Sequence, residues 1–597
     1  MNMNNSNKSF NLKAIRNINL IFIFLMFIIG FFVIRLFYIQ VIRYSYYKQS
    51  ALNDQLVQSK IPATRGLIEA HYGNQIIPIV LNQELFTVYA DPSLVKNVNN
   101  MADKLVGVLG GSKSKIVTLA NTKNTRYVVL AKKISQSQSD KILGFHIPGL
   151  GTIGQDYRVY PQGDLVSQTL GFVGDNSKGS YGLEQSMNSQ LSGKPGYLKA
   201  ITDINGVPLA ASKNNINISP VNGKNIVLTI DVAIQKQLQE IIQNAAQSEK
   251  SPLISAVIMD PNSGAIKAIA NYPTYNPSDY SSVTNQYIFT NAAVSNSIEP
   301  GSTLKVFTAS AALNQGVIKQ NTTYYDPSHW LIDGFNITNI EEDGGSGIKS
   351  VEDVLNLSLN TGATWMLMQM GGGQINLKAR EAWYNYMTNH FRFGKITGLD
   401  QGYESGGIVP KPDIPFQSGD QQNLAYANTT FGQGLSVSAL QMDSALSSVI
   451  NGGTYYKPYL VDGTTDSQGN IAYNKPTIVN RDVVNAGTTK SIIALMQQVV
   501  FKHYQSGFTY LNFPSNYIVG GKTGTAQVPD PKGGYTDNIF NGTYIGFVGG
   551  NKPQYAIAIF VTTPTVSGYA GSYGAQPIFG NIVHMLINES YVSPIGN

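Results

Sequence analysis

The 597-residue chain has no cysteine, which excludes disulfides, thiolate metal sites and a cysteine nucleophile. Its six histidines, at 71, 146, 329, 390, 503 and 584, form no H-x-x-H or H-x-x-x-H pair. No metal site and no cofactor are therefore expected. Charge is scarce too. Asp, Glu, Lys and Arg make up 13% of the residues, and the net +6 is spread along the chain without a basic run. That pattern gives no reason to expect nucleic acid. What is abundant instead is Asn, Ser, Gly and Tyr. The length exceeds what one core can hold, so two or more folded domains are expected.

The first fifty residues carry one long apolar run. Lys8, Lys13 and Arg16 precede residues 18–34, which are broken only by Asn19 and Gly30, and the run resumes at Leu36 beyond Arg35. Seventeen to about twenty-two apolar residues span a bilayer. A secretory signal would have a shorter core and an A-x-A-like cleavage site, which is missing here. The alternative is a buried core helix. The basic N-terminus favours an uncleaved anchor. Charge does not set its orientation, because Arg35, Arg43 and Lys48 follow the span. Long C-terminal domains translocate largely regardless of such charges, so the bulk of the chain is expected outside the cytoplasm.

Residues 44–222 read as short strands and turns with a few helical stretches. A strand at 85–90 ends at Asp91-Pro92, and 143–154 is a Gly- and Pro-rich linker or hairpin. Beyond Asn225 the texture changes. Residues 226–231 form a strand ending at a helix N-cap, and 234–246 are amphipathic at helical spacing. Two strands flank the turn Asp260-Pro261-Asn262-Ser263-Gly264. Three more strands are expected at 517–519, 544–548 and 555–562, with a closing helix over 577–587. Strands from both ends with helices between them imply an α+β arrangement around an antiparallel sheet.

Three motifs carry chemistry. Ser302-Thr303-Leu304-Lys305 begins an apolar helix after the turn Glu299-Pro300-Gly301. Residues three apart on a helix have Cβ atoms about 5–6 Å apart, so Lys305 can reach the Ser302 hydroxyl. A helix start also leaves backbone N–H groups for a developing oxyanion. Serine at such a place is commonly an N-cap. Against that, Lys305 inside an apolar helix needs a polar partner, and burial lowers a lysine pKa. Service as a base near pH 7 requires a fall of roughly 3 units from about 10.4, or about 4–5 kcal/mol. A second cation would supply part of it, and Lys522 is the candidate. It lies on a strand, in Gly520-Gly521-Lys522-Thr523-Gly524-Thr525, where glycines let another backbone come close. Ser358-Leu359-Asn360 falls between two helical segments, the first with a capping box at Ser350 and Asp353.

Each motif is weak alone. S-x-x-K recurs at Ser45, Ser93, Ser112 and Ser346, and S-x-N at Ser9, Ser186 and Ser212, whereas K-T-G occurs once. Ser346 sits in Asp343-Gly344-Gly345-Ser346-Gly347, a loop that gives its lysine no fixed place.

Trio, order and settings resemble penicillin-binding proteins and serine β-lactamases. Further stretches narrow this to class B penicillin-binding proteins, monofunctional peptidoglycan transpeptidases. They include Arg35-Leu36-Phe37-Tyr38-Ile39-Gln40-Val41, Tyr160-Pro161, Gly171-Phe172-Val173-Gly174 and Gly182-Leu183-Glu184. Gly432-Gln433-Gly434-Leu435-Ser436-Val437 and Asn451-Gly452-Gly453 also match. The family's R-G-x-I-x-D-R-N-G is degraded to Arg65-Gly66-Leu67-Ile68-Glu69-Ala70-His71-Tyr72-Gly73, an expected change to packing, not chemistry.

The resemblance implies a cytoplasmic tail (1–17), an anchor (18–42), a pedestal or dimerisation-like domain (43–223) and a transpeptidase domain (224–592) with a five-stranded antiparallel sheet. It assigns catalysis to Ser302, Lys305, Ser358, Asn360 and Lys522, and substrate binding to Thr523, Gly524 and Thr525. The backbone N–H groups of Ser302 and Thr525 would form an oxyanion hole, and Asn360 would hold a substrate amide. Ligands would be peptidoglycan stem peptides and β-lactams. Partners would be a membrane-embedded glycan polymerase and division proteins, since the stretch before Arg65 is closer to the division type. An elongation-type enzyme, or a non-catalytic or sensor-type relative, is the alternative.

Overall fold

The computed structural model describes residues 6–174, 177–201, 216–340, 345–413, 421–466, 468–566 and 568–596. Ser212, Asp343 and Gly344 lie outside the described residues. The chain divides into two compact units, Met1–Ala63 with Gly193–Asn222, and Thr64–Ser192 with Gly223–Asn597.

In the first unit the apolar run is one helix, Ser6–Phe37, continued by a π-helical turn at Tyr38–Ile42. The stretch Asn17–Ile42 has 26 residues, none of it buried. At 1.5 Å per residue it is about 39 Å long, more than a hydrocarbon layer of about 30 Å. A core helix would hide one face, and this one hides none. A three-stranded antiparallel sheet of Leu56–Ile61, Gly196–Ile201 and Ile216–Ile218 belongs to the same unit.

The second unit holds two larger sheets. One has seven strands and runs Ile471–Tyr473, Val461–Thr465, Asn225–Asp231, Ile68–Tyr72, Gln75–Ala90, Val128–Ile134, with Leu150–Val159 paired to Gln75–Ala90. Two readings are corrected here. The pedestal region is not made of short strands alone, for Gln75–Ala90 is 16 residues long. The stretch 143–154 is not a free linker, because Leu150–Val159 pairs along Leu81–Ala90. Gly151 and Gly154 are strand positions crossed by neighbours: a Cβ at Gly151 would lie 2.6 Å from the Tyr89 hydroxyl. Glycine in a strand marks such close approach as readily as a turn.

Within the degraded motif, Arg65 donates to the fully buried Glu184 (2.7 Å), which also accepts from Arg158 (2.7 Å). Glu69 accepts from Thr465 (2.9 Å) and His71 meets Asp462 (2.9 Å). Of the altered positions, His71 thereby contacts a strand almost 400 residues later.

The other sheet has five strands, β1 (Leu253–Met259), β2 (Ile266–Tyr272), β3 (Ile518–Pro529), β4 (Tyr535–Gly549) and β5 (Pro553–Thr562). Their order is β2-β1-β5-β4-β3, antiparallel throughout. Helix α1 (Val232–Glu249) starts where Asp231 accepts from the N–H groups of Ala233 and Ile234. The expected Asp260 turn joins β1 to β2, with Ser263 and Asn262 donating to the Asp260 carboxylate. Alternation sorts the sheet. Ala256, Ile258, Val548, Ile557 and Ile559 pack on α1 and on the closing helix α7 (Gln576–Asn588), through Leu238, Ile242, Ile578 and Phe579. Val257, Ile269, Phe547 and Ala558 face the opposite core. Each such aliphatic residue contributes roughly 1.5–3 kcal/mol by burial.

Helices of that second core are α2 (Lys305–Asn314), α3 (Val351–Asn356), α4 (Asn360–Met370), α5 (Ala439–Ile450) and α6 (Ala486–Gln505). Strands β3 and β4 run well past the expected 517–519 and 544–548, pairing from Ile518 and Gly549 out to Pro529 and Tyr535. Their polar, glycine-rich sequence hides the apolar alternation, but the ladder persists because glycines admit large rings. A Cβ at Gly521 would lie 2.2 Å from the Tyr544 hydroxyl, and at Gly546 2.5 Å from the Phe579 ring.

Candidate active site

Ser302 does not open an α-helix as expected. It lies in a 3-10 turn, Gly301–Leu304, and α2 begins at Lys305. Nor is it an N-cap, for no side-chain capping bond is made there. Three backbone segments crowd this turn and set its shape. Gly301 donates to the Gly432 carbonyl (3.1 Å), and Thr303 and Thr543 both donate to the Pro300 carbonyl (2.9 and 2.6 Å). A Cβ on Gly301 (φ 59°) would meet the Thr525 carbonyl at 2.6 Å, and one on Gly432 the Gly301 carbonyl at 2.0 Å. The turn is thereby pressed against β3.

One turn on, Lys305 is wholly buried. Its Nζ donates to Ser302 Oγ (2.9 Å), Asn360 Oδ1 (2.8 Å), Ser358 Oγ (3.2 Å) and the Ser358 carbonyl. Ser358 reaches it because of backbone conformation. Helix α3, started by the Ser350–Asp353 capping box, ends at Asn356, and Ser358 then takes φ 58°. That left-handed geometry is strained for a residue with a side chain, by about 1–3 kcal/mol. It turns both oxygens of Ser358 onto Lys305. Leu359 is fully buried and fixes the loop before α4. Asn360 has protein partners at both ends of its amide, since Nδ2 donates to the Thr338 carbonyl (3.1 Å).

Lys522, 1% exposed, comes from the middle of β3 on the same face as Gly520. Its Nζ donates to Ser358 Oγ (3.1 Å) and to the Thr523 carbonyl (3.0 Å). One hydroxyl thus stands between the two lysine amino groups. Gly524 packs behind the Ser302 turn, where a Cβ would lie 2.3 Å from Thr543 Oγ1 and 2.4 Å from the Pro300 carbonyl. Thr525 Oγ1 accepts from the Gly571 N–H (3.0 Å).

A cavity of about 210 Å³ opens over these groups. Ser302, Ser358, Asn360, Thr523 and Thr525 line it, with Lys305 and Lys522 beneath and Gly524 off its wall. The rival Ser346 is exposed on a bend before the strand bearing Lys349. The wall also contains Ile340, Phe431, Gln433, Tyr569, Ser572 and His503, which the motifs did not mark. Gln433 was within reach of the sequence, sitting in the Gly432–Gly434 family stretch. Tyr569 precedes, and Ser572 lies within, a π-helical turn (Ala570–Ala575) that has no pattern to find.

Two titratable neighbours are perturbed. Burial raises the carboxyl of Glu299, opposed by hydrogen bonds from the Gly434 N–H (2.9 Å) and the Tyr535 hydroxyl (3.2 Å). Burial, then the nearby charge of Lys522, lowers His503 to about 4.

Residues 254–584 match the family described as penicillin binding protein transpeptidase domain, and residues 60–228 the penicillin-binding protein dimerisation domain. Stage V sporulation protein D of Bacillus subtilis is 30% identical over 87% of this chain and 78% of its own length. Peptidoglycan D,D-transpeptidase FtsI of Escherichia coli K12 is 24% identical over 90% of this chain and 85% of that protein. The crystal structure of penicillin binding protein 2X from Streptococcus thermophilus superposes with a TM-score of 0.70 at 25% identity, covering 90% of this chain and 80% of that one. With a transpeptidase domain over more than half its length and a dimerisation domain before it, this chain belongs to the class B penicillin-binding proteins.

Proposed function

We propose that this chain is a peptidoglycan D,D-transpeptidase that cross-links stem peptides through a serine acyl-enzyme. The observation that carries the reading is the Ser358 hydroxyl, 3.2 Å from Lys305 and 3.1 Å from Lys522, with Lys305 also 2.9 Å from Ser302. Lys305 takes the Ser302 proton as Oγ attacks the carbonyl between the terminal D-alanines. The oxyanion is held by the N–H groups of Ser302 and Thr525, a device whose removal costs roughly 100–1000-fold. The C–N bond then breaks, and D-Ala leaves with a proton delivered through Ser358 and Lys522. An amine on a neighbouring stem attacks the ester, the new amide forms, and Ser302 regains its proton. Thr523 and Thr525, on the cavity wall, suit the substrate's terminal carboxylate. Asn360 has its Oδ1 on Lys305, so it orients the base as well as facing the substrate amide.

The apolar helix supports a single-pass anchor with the later domains outside the cytoplasm. The name of the Escherichia coli relative supports a role in septal wall synthesis, beside a glycan polymerase and division proteins. The test is fluorescent penicillin and a stem pentapeptide with an acceptor amine, given to the detergent-solubilised full chain. Covalent labelling and D-Ala release are expected, both abolished in Ser302→Ala. A wild-type chain that takes no label would refute the assignment, and hydrolysis without amine transfer would make it a carboxypeptidase.

A further inference from the structure

The last turn of α6 puts a histidine on the wall of the acyl-transfer cavity, and no motif accounts for it. His503 is partly buried and bridges three segments. From α7, the fully buried Gln576 approaches with its side-chain Nε2 2.7 Å from His503 Nδ1. The Gln576 carbonyl oxygen accepts from the Tyr510 hydroxyl (3.2 Å), and its side chain also meets Tyr544. With its oxygen on the Tyr510 phenol, the amide turns its nitrogen to the imidazole and donates to it. Nδ1 is then an acceptor and the ring proton sits on Nε2. The ring also neighbours the backbone of Asn356 on the same cavity wall, the last residue of α3 and two before Ser358. Phe508 packs on the ring (centroids 5.7 Å apart), and Lys522 is the charge it faces from β3.

Nothing in acyl transfer asks the ring to react. What the geometry asks for is a stiff group that accepts on one side, donates on the other and carries no charge beside an ammonium. Imidazole in its Nε2–H form meets all three demands. We propose that His503 is a positioning residue of the acyl-transfer site, a neutral strut that holds the loop bearing Ser358 against α7, beside Lys522. The inference rests on the transpeptidase reading above. Its consequence is kinetic, because a displacement of about 1 Å in a catalytic group can cost about 100-fold.

The test compares the acylation rate constant and the prior non-covalent affinity for fluorescent penicillin in the full chain and its variants. His503→Gln keeps an acceptor and a donor, and His503→Leu keeps bulk alone. The expected result is acylation within about tenfold of wild type for His503→Gln and about 100-fold slower for His503→Leu, with affinity little changed in either. A leucine variant as fast as wild type, or a glutamine variant as slow as the leucine one, overturns the inference. Should His503→Leu not fold, Gln576→Glu decides. It has the same shape but presents an acceptor to Nδ1, draws a proton onto the ring and sets a second cation beside Lys522. Acylation is then expected at least tenfold slower at neutral pH and recovering as pH rises. An unchanged profile also overturns the inference. A wild-type chain that is not labelled at all refutes the transpeptidase reading instead.

Discussion

Among the places in the second unit that bury charge, two do it in opposite ways. At Arg65, Arg158 and Glu184 a carboxylate with no exposure meets two guanidinium groups at 2.7 Å each. At Lys305 and Lys522 the neighbours described above are hydroxyls, carbonyls and an amide. Opposite charges fix a protonation state, because neutralising one partner strands the other in a poor solvent. Neutral acceptors hold an amine in place without committing it to its proton. The first arrangement makes a brace and the second a base. A shared feature, burial, carries no functional meaning until the partners are named.

Three substitutions would break or sharpen that contrast. The largest effect is expected at Lys305→Met, which keeps the volume and removes the amine. Loss of a positioned base slows reaction by typically about 100–10,000-fold. Stopped-flow acylation by a β-lactam measures it, and the melting temperature should hardly fall. Glu184→Ala should do the reverse. Two arginines left without their carboxylate cost about 3–5 kcal/mol, read as a lower denaturation midpoint, while acylation per folded molecule stays near wild type. A Glu184→Ala protein that lost acylation but kept its stability would erase the distinction.

The smallest effect belongs to a third kind of buried charge, one with a carboxylate oxygen that has no hydrogen-bond partner among the described residues. Glu249 at the end of α1 has an Oε2 without a hydrogen bond, and burial raises its pKa to about 7. The folded protein therefore holds this proton more tightly than the unfolded chain does, where a carboxyl titrates near 4.3. The stability it lends is present below about pH 4 and is lost as pH climbs toward 7. Glu249→Gln should accordingly be neutral at pH 4 and stabilising by roughly 1–2 kcal/mol at pH 8, after allowing for partial exposure. Melting curves at the two pH values measure it, and an equal effect at both would remove Glu249 from the comparison.

The parts legible in the sequence are those whose cause is local. Asp231 announces its helix, Ser350 and Asp353 their capping box, and Asp260 to Gly264 their turn, because each acts on its own neighbours. The chemistry-bearing residues of the three motifs could be named because motifs weak alone occur in one order and in matching settings, a serine and lysine at the start of an apolar segment and glycines around a strand lysine. What stayed hidden depends on distant chain. Gly151 looks like loop until Tyr89 lies across it. The 3-10 turn at Ser302 follows from Pro300, Gly432 and Thr543 converging, and no local preference encodes that. His503 is an ordinary helix-end histidine in sequence, and only Gln576 and Asn356 give it a task.

The backbone of Ser358 has a consequence of its own. Glycine would occupy its left-handed conformation without penalty, so the chain keeps a hydroxyl there at the expense of folding. A Ser358→Gly protein should be the hardier molecule and the poorer catalyst. Selection for endurance and selection for turnover would pull this one position in opposite directions.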